Sequence, residues 1–493
     1  MKSRTEMGMT VVCLCAVLTM TLQLSAQKTS VPLYSDDPTQ GSDGTFLRNV
    51  LGTQIGHYKD GPVPVDLSAT TIAAFVPNGS GGYHRRTGVG TSNGYFAIPK
   101  VPSGFYLLQL GSTFLWSKNT LVDADYNADY RSDTVQADQN TTVTFDLTNL
   151  NSWQDTDFFE MLCPNNVVFD TFSGTPGVNT LTGTFPYFGS LSVGSEGDQY
   201  YLAQLITQNV GGFPFTALGR YIAPAKFTQA QGSDTAINGR LKTIVQNHTF
   251  EANINGADLA AQALAANPKA VLADTTVALD VYPGSLKKGE STATPDLVIY
   301  DVFAGQPLIT TNGDLGQVVY GNPYPSKWPL FDIYQWLAQT NYTAPGATTS
   351  VPIFTRATGN NITLPTSTNP ITPLVGVVSK PSINHKNFFV DRTGVGTTPT
   401  LRWSPPSLGT ATYYSVQIYQ LANNGGNTTK MSIAILYTQQ TSLLIPNSVM
   451  SAGQAYVFKI HAGYVPGIDF TKTPFMNGPT FGFADVISGM VQP

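Results

Sequence analysis

Leu401-Arg402-Trp403-Ser404-Pro405-Pro406, Tyr414-Ser415-Val416-Gln417-Ile418 and Tyr456-Val457-Phe458-Lys459-Ile460-His461-Ala462 write the architecture most plainly. Each alternates apolar and polar residues. Side chains on a strand point to opposite faces in turn, so this alternation marks strands with one face in a core. The turn Met450-Ser451-Ala452-Gly453-Gln454 leads into the last of them. Together they predict a small all-β module at the C-terminal end, built for spacing or contact and carrying no visible chemistry.

The rest of the chain fits that module. Hydrophobic residues are 41% and aromatics 11% of 493 residues, enough to build several cores, whereas disordered chains are poor in aromatics. Only 12% of residues are charged, about half the usual ~25%. Glycine (46) and proline (33) are plentiful, which suits many short strands joined by turns. The net charge of −5 and the lack of a Lys/Arg block argue against nucleic acid as a partner.

Lys2 and Arg4 followed by the apolar run Val11 to Leu24, then Ser25-Ala26, read as a signal peptide over residues 1–26, cleaved before Gln27. The run is short for a membrane span, which needs ~20 apolar residues, so no span is expected in the mature chain. Cleavage leaves Cys163 as the one cysteine, so stability must come from burial and not from disulfides. An exported, disulfide-free chain of this size points to a bacterial protein of the cell surface, periplasm or extracellular space.

Residues 27–44 read as a flexible N-terminus and 45–150 as a first module. In the latter, Thr71 to Val76, Gly94 to Ile98 and Phe105 to Leu110 are strands, Asn78 to Gly90 is a loop, and Thr141 to Leu147 is the closing strand. Thr91-Ser92-Asn93-Gly94-Tyr95-Phe96-Ala97-Ile98-Pro99-Lys100-Val101-Pro102-Ser103-Gly104-Phe105-Tyr106 resembles the hallmark of carboxypeptidase regulatory-like domains, which are transthyretin-type sandwiches. The resemblance implies an accessory domain and not a peptidase. Residues 376–493 are similar to fibronectin type III domains. Trp403 with Pro405-Pro406 stands at the second strand, and Tyr456 at the tyrosine corner, where its hydroxyl would return to the preceding loop. The long segment Gly463 to Gly482 departs from that pattern. Residues 151–375 resemble no family and read as strands: Gln199 to Leu205, Arg240 to Gln246, Thr276 to Val281, Leu297 to Phe303, Gln317 to Tyr320 and Trp328 to Tyr342. One helix over Ala257 to Ala266 follows a capping Asn255. The expected fold is therefore all-β, a multi-domain chain of β-sandwiches.

Chemistry is sparse. His57, His84, His248, His385 and His461 have no metal-ligand spacing, and no nucleophile elbow or phosphate loop occurs. No catalytic residue is assigned. Asp155, Asp157 and Glu160, close together beside Trp153, are the carboxylates an alternative hydrolase reading would use. Asp123, Asp125, Asn127 and Asp129 alternate along a loop and are candidate calcium ligands, although no EF-hand is met. Phe185, Tyr187, Phe188, Phe213, Phe215, Tyr324, Trp328 and Trp336 are either core or a carbohydrate platform. These observations lead to an exported, non-enzymatic structural or binding protein, with polysaccharide or a surface protein as conceivable partner. The alternative is a secreted carbohydrate-active or other hydrolytic enzyme with its site in the central region.

Overall fold

The computed structural model describes residues 39–40, 46–128, 130–163, 168–187, 190–192, 197–273, 275–284, 296–303, 310–476 and 478–493. Nearly all regular structure is strand, with one helix, Gly256–Leu264, among the described residues. The fold is all-β and multi-domain, as the composition requires.

One open sheet runs through the whole molecule. It starts at Tyr83–Thr87 and passes through Ile72–Pro77, Tyr106–Leu110 and Thr113–Ser117. From there it crosses to Asn427–Thr438, Tyr413–Asn424, Ala455–Tyr464 and Phe481–Ile487. It continues through Val351–Asn361, Leu330–Tyr342, Thr275–Pro283 and Val298–Phe303. The last stretch is Phe213–Ile222, Tyr201–Val210, Phe158–Cys163 and Val168–Phe172. No pairing among the described residues joins the two ends, so the path does not close on itself.

Four smaller layers cover this sheet, each enclosing its own core. Strands Phe46–Thr53, Tyr95–Pro102 and Leu121–Asp123 cover the first quarter around Phe96, Ile98, Tyr106 and Leu108. Strands Ser379–Ile383, Thr400–Ser404 and Ser442–Leu444 cover the C-terminal quarter around Trp403, Val416, Phe458 and Ile460. The pair His248–Asn255 and Asn312–Tyr320, with the helix, covers the central quarter around Trp336, Tyr334, Leu279 and Leu259. Leu181–Pro186, Thr142–Thr148 and Asp234–Arg240 cover the last quarter around Trp153, Phe145 and Met161. The stretch 151–375 thus supplies most of two cores, while Tyr342, Ala344 and Ile353 join a smaller cluster with Leu421, Val457 and Ile487.

Shared walls explain the apolar runs. On Phe158–Cys163, Phe159, Met161 and Cys163 enter one core while Phe158 packs against the other. Ile72 and Ala74 likewise belong to the N-terminal core, and Ala73 and Phe75 to the C-terminal one. A strand buried on both faces reads as a continuous apolar stretch.

Several local expectations change. Thr142–Thr148 does not close the first module; it lies between Leu181–Pro186 and Asp234–Arg240 in the next core. The polar segment 78–90 is not all loop, because Tyr83–Thr87 forms the sheet's exposed edge, where His84, Arg85 and Arg86 discourage further pairing. Of the strand expected over 240–246, Lys242–Thr243 forms and pairs with Phe213–Ile222, while a longer strand precedes it at Asp234–Arg240 and places Ile237 in the core. Asn255 makes no side-chain cap; Asn312 Oδ1 accepts from Ala257 N at 3.1 Å instead. The helix runs over Gly256–Leu264 and is a packed connector, with Leu259, Ala260 and Ala263 buried.

The segment 463–482, which departs from the fibronectin pattern, acts as a strap onto the N-terminal unit. Phe470 and Phe475 pack into that unit's core, and Asn119 Nδ2 donates to Thr471 O at 2.6 Å. The corner expected at Tyr456 is present: its buried hydroxyl accepts from Ser451 N at 2.9 Å. Tyr456→Phe removes that acceptor but not the ring. It is expected to lower stability by about 0.5–1.5 kcal/mol, the net worth of one hydrogen bond, because Ser451 is exposed and its freed N–H can turn to water, as read from denaturant melts.

Candidate functional site

The described acidic side chains of the loop are committed to internal bonds, whereas Asn127 Oδ1 is buried without a partner among the described residues. Asp125 Oδ1 accepts from Ile55 N at 2.9 Å and from Thr53 Oγ1 at 3.3 Å, and Oδ2 lies 3.1 Å from His57 Nε2. Asp123 Oδ1 accepts from Asp125 N at 2.9 Å, and Asn127 sits on a short strand beside His57. Asp129 lies outside the described residues. Further along, Arg131 clamps Asp133 through two bonds of 2.9 and 2.8 Å. Among the described residues no three acidic, histidine or cysteine side chains are placed to hold a metal. A calcium ion, which seeks six to eight oxygens, would have to displace bonds that pin this loop to Phe46–Thr53 and Ile55–Tyr58. Addition of EDTA is accordingly expected to leave the melting temperature unchanged.

The trio beside Trp153 separates into three environments. Asp155 is exposed. Asp157 is buried and structural, accepting from Thr207 N at 2.9 Å and Gln154 N at 3.0 Å. Glu160 faces the opposite way, wholly buried in the wall between two cores, where Oε2 accepts from Asp296 N at 3.2 Å. Its Oε1 meets no partner among the described residues. Burial, with some help from the negative charge of Asp280, pushes the Glu160 carboxyl up to about 8, so it is protonated at neutral pH.

Aromatic rings gather close to this acid. Of the eight rings singled out in the sequence, Tyr324 and Trp328 come together, stacked at 6.3 Å. Tyr324 also stands edge-on to Tyr201 (5.6 Å) and Tyr221 (5.4 Å), which stack on each other. Burial raises the Tyr324 hydroxyl well above its usual range, and Tyr221 and Glu160 add to the shift. Tyr187, Phe215 and Trp336 are core residues, Phe185 packs on Phe145 and Phe172, and Phe213 sits against the central core. Phe188 lies outside the described residues.

A second ionic cluster sits where the C-terminal and central quarters join. Asp485 is fully buried, with His461 Nδ1 at 2.9 Å and Lys459 Nζ and Arg356 Nε each at 3.9 Å. Burial alone would raise this carboxyl, but Lys459, the His461 hydrogen bond and Arg356 outweigh it and hold it down to about 2. Burial lowers both Lys459 and His461. His461 Nε2 reaches the Tyr413 hydroxyl at 3.3 Å.

Asp280, Asp296, Asp485, Tyr201 and Tyr221 were not singled out from the sequence. A signal existed for two of them: Asp280 in Val-Ala-Leu-Asp-Val-Tyr and Asp485 in Phe-Ala-Asp-Val-Ile are lone charges in apolar strands. A charge at such a position must find a partner or take up a proton. No family model matches the chain, and no curated protein matches it in sequence.

Proposed function

We propose that this chain is an exported, non-enzymatic structural and binding protein of the cell surface or periplasm. In this reading a carboxypeptidase regulatory-like module at the N-terminal side and a fibronectin type III-like module at the C-terminal side hold the central region in a fixed frame. The observation that carries the reading is the continuous main-chain ladder that fuses the quarters. Its parallel seam Thr113–Leu115 on Ile435–Tyr437 and its antiparallel seam Ala357–Asn360 on Phe481–Ala484 cover edges that separate modules would expose. Tyr83 adds a side-chain tie across the first seam, its hydroxyl donating to Leu444 O at 2.9 Å. Such a frame suits load-bearing or presentation, with loops at its rims free for contact. Fractionation of producing cells with N-terminal sequencing tests the export. A product beginning near Gln27 in the envelope or medium is expected, and a full-length cytoplasmic product overturns the reading.

Glu160 supports a second reading, a carbohydrate-active or other hydrolase sited in the central region. A carboxylic acid that keeps its proton at neutral pH, beside other carboxyls and tyrosines, has the character of a general acid. Hydrolysis of polysaccharide by the purified protein, abolished in Glu160→Gln, would establish it. Its enclosure in the wall between two cores favours the first reading.

A further inference from the structure

The long sheet curls where the central and C-terminal quarters join. Three strands, Tyr413–Asn424, Ala455–Tyr464 and Phe481–Ile487, separate Asn427–Thr438 from Val351–Asn361 in it. Yet Lys430 Nζ on the first donates to Pro352 O on the second, and Thr428 Oγ1 donates to Thr349 O just before it at 2.6 Å. The face between them is therefore concave, and Lys459, Arg356, Asp485 and His461 meet on it. We propose that this concavity binds an organic carboxylate, taken between the Lys459 ammonium and the Arg356 guanidinium. The proposal rests on the reading of the chain as a binding protein and gives that reading a place and a ligand class.

The two cations carry donors that the fold does not use. Lys459 is buried, and its ammonium makes no hydrogen bond among the described residues; Asp485 Oδ2, at 3.9 Å, is out of range. Arg356 Nε stands equally far from Oδ2, and no guanidinium donor is taken among the described residues. Their other neighbours are rings. Lys459 Nζ lies 5.7 Å from the Tyr419 centroid, and the Arg356 guanidinium carbon 4.6 Å from that of Phe483. A ring answers the charge but leaves most of the N–H donors unmet. Asp485 is not free to turn toward them, because His461 Nδ1 holds Oδ1 at 2.9 Å and Arg356 N holds Oδ2 at 3.3 Å. Buried donors left unmet call for a partner that enters from outside. Entry is open, since the Arg356 and Lys459 side chains keep 25% and 10% exposure.

Charge sets the ligand class. Lys459 and Arg356 against Asp485 leave one positive charge, and burial keeps His461 neutral. One negative charge closes that balance, whereas a phosphate dianion would leave an excess beside the fixed Asp485 carboxylate. Lys430 is spent on Pro352 O and stands exposed at the rim, where solvent and salt screen it. Shape narrows the class further. A carboxylate presents the planar pair of oxygens that a guanidinium fork takes up, with the ammonium as a further donor. Chloride carries the right charge but offers no such pair.

The test titrates the full-length protein with sodium acetate and with polygalacturonate at equal carboxylate concentration, against sodium chloride and sodium phosphate at matched ionic strength. Both carboxylates should raise the melting temperature above the chloride and phosphate controls, because a ligand held only by the folded chain stabilises it. A stronger response to the polymer assigns the carboxylate to an acidic polysaccharide, and an equal response assigns it to a small free acid. Lys459→Met and Arg356→Gln should each weaken binding about tenfold or more, the loss of charged hydrogen bonds. Both should fold, since Asp485 keeps His461 and one cation in either variant. Lys472→Gln, an exposed cation paired with Asp469 elsewhere, should change nothing. A response to phosphate as strong as to acetate overturns the ligand class. No response beyond that to chloride, or one that Lys459→Met and Arg356→Gln leave intact, overturns the site, and the export measurement then decides separately whether the wider reading stands.

Discussion

Asp485→Ala is expected to cost about 3–5 kcal/mol of stability, the penalty for stripping a buried charge of its partner. The carboxylate is the one anion facing Lys459, Arg356 and His461 among the described groups of this cluster. Lys459 is 8% exposed, and its Nζ lies over the Tyr419 ring, 5.7 Å from the centroid. Without Asp485 the ammonium and the guanidinium repel each other inside the sheet, and the backbone N–H of Arg356, 3.3 Å from Oδ2, loses its acceptor. The damage falls on a seam, since Asp485 belongs to Phe481–Ile487 and Arg356 to Val351–Asn361. Denaturant melts should show the loss, and amide exchange should quicken first along those two strands. A cost below about 1 kcal/mol would mean that the cluster is as weak as a surface ion pair.

The alternation around Trp403 is the direct image of one buried and one open face. Ala455–Tyr464 is buried on both faces, and its alternation comes from Lys459 and His461, which meet Asp485. The Tyr456 corner is expected from the resemblance of Gly453-x-x-Tyr456 to the fibronectin type III pattern, and the hydroxyl does accept from Ser451 N. Trp328 to Tyr342 fits helix or strand by pattern alone; the proline-rich turn before it favours strand, and the structure places Leu330–Tyr342 there. The fusion of the modules was not legible. Nothing in Thr113-Phe114-Leu115 distinguishes an edge that faces water from one that pairs with Ile435–Tyr437, because a ladder is made by main-chain groups common to all residues. The site was partly legible for the same kind of reason. Glu160 stood out by its neighbours in sequence, Asp155 and Asp157. Its actual partner Asp296 is 136 residues away, brought in by a sheet order no local pattern encodes.

Glu160 makes the protein less stable as pH rises, and the loss continues well above the pH range in which carboxylates usually titrate. In the unfolded chain this carboxyl releases its proton near its ordinary value; in the fold it holds the proton up to about pH 8. Between those limits folding must take up a proton, so the stability is fully present below the unfolded value and falls as pH rises toward 8. At about 1.4 kcal/mol per unit of pKa difference the total reaches several kcal/mol. Asp332, also raised by burial to about 8, acts with the same sign. Asp485 acts oppositely and only in strong acid, its contribution lost as pH falls through about 2. Melting temperatures measured from pH 5 to pH 9 should therefore decline, and Glu160→Gln, which keeps the shape and cannot ionise, should flatten the decline and melt higher than the parent at pH 9. At pH 5 the two should differ little, because the parent residue is then neutral as well. Parallel pH profiles for parent and variant would show that Glu160 is not buried in the charge-excluding wall assigned to it, and would remove the basis for treating it as a proton-holding acid.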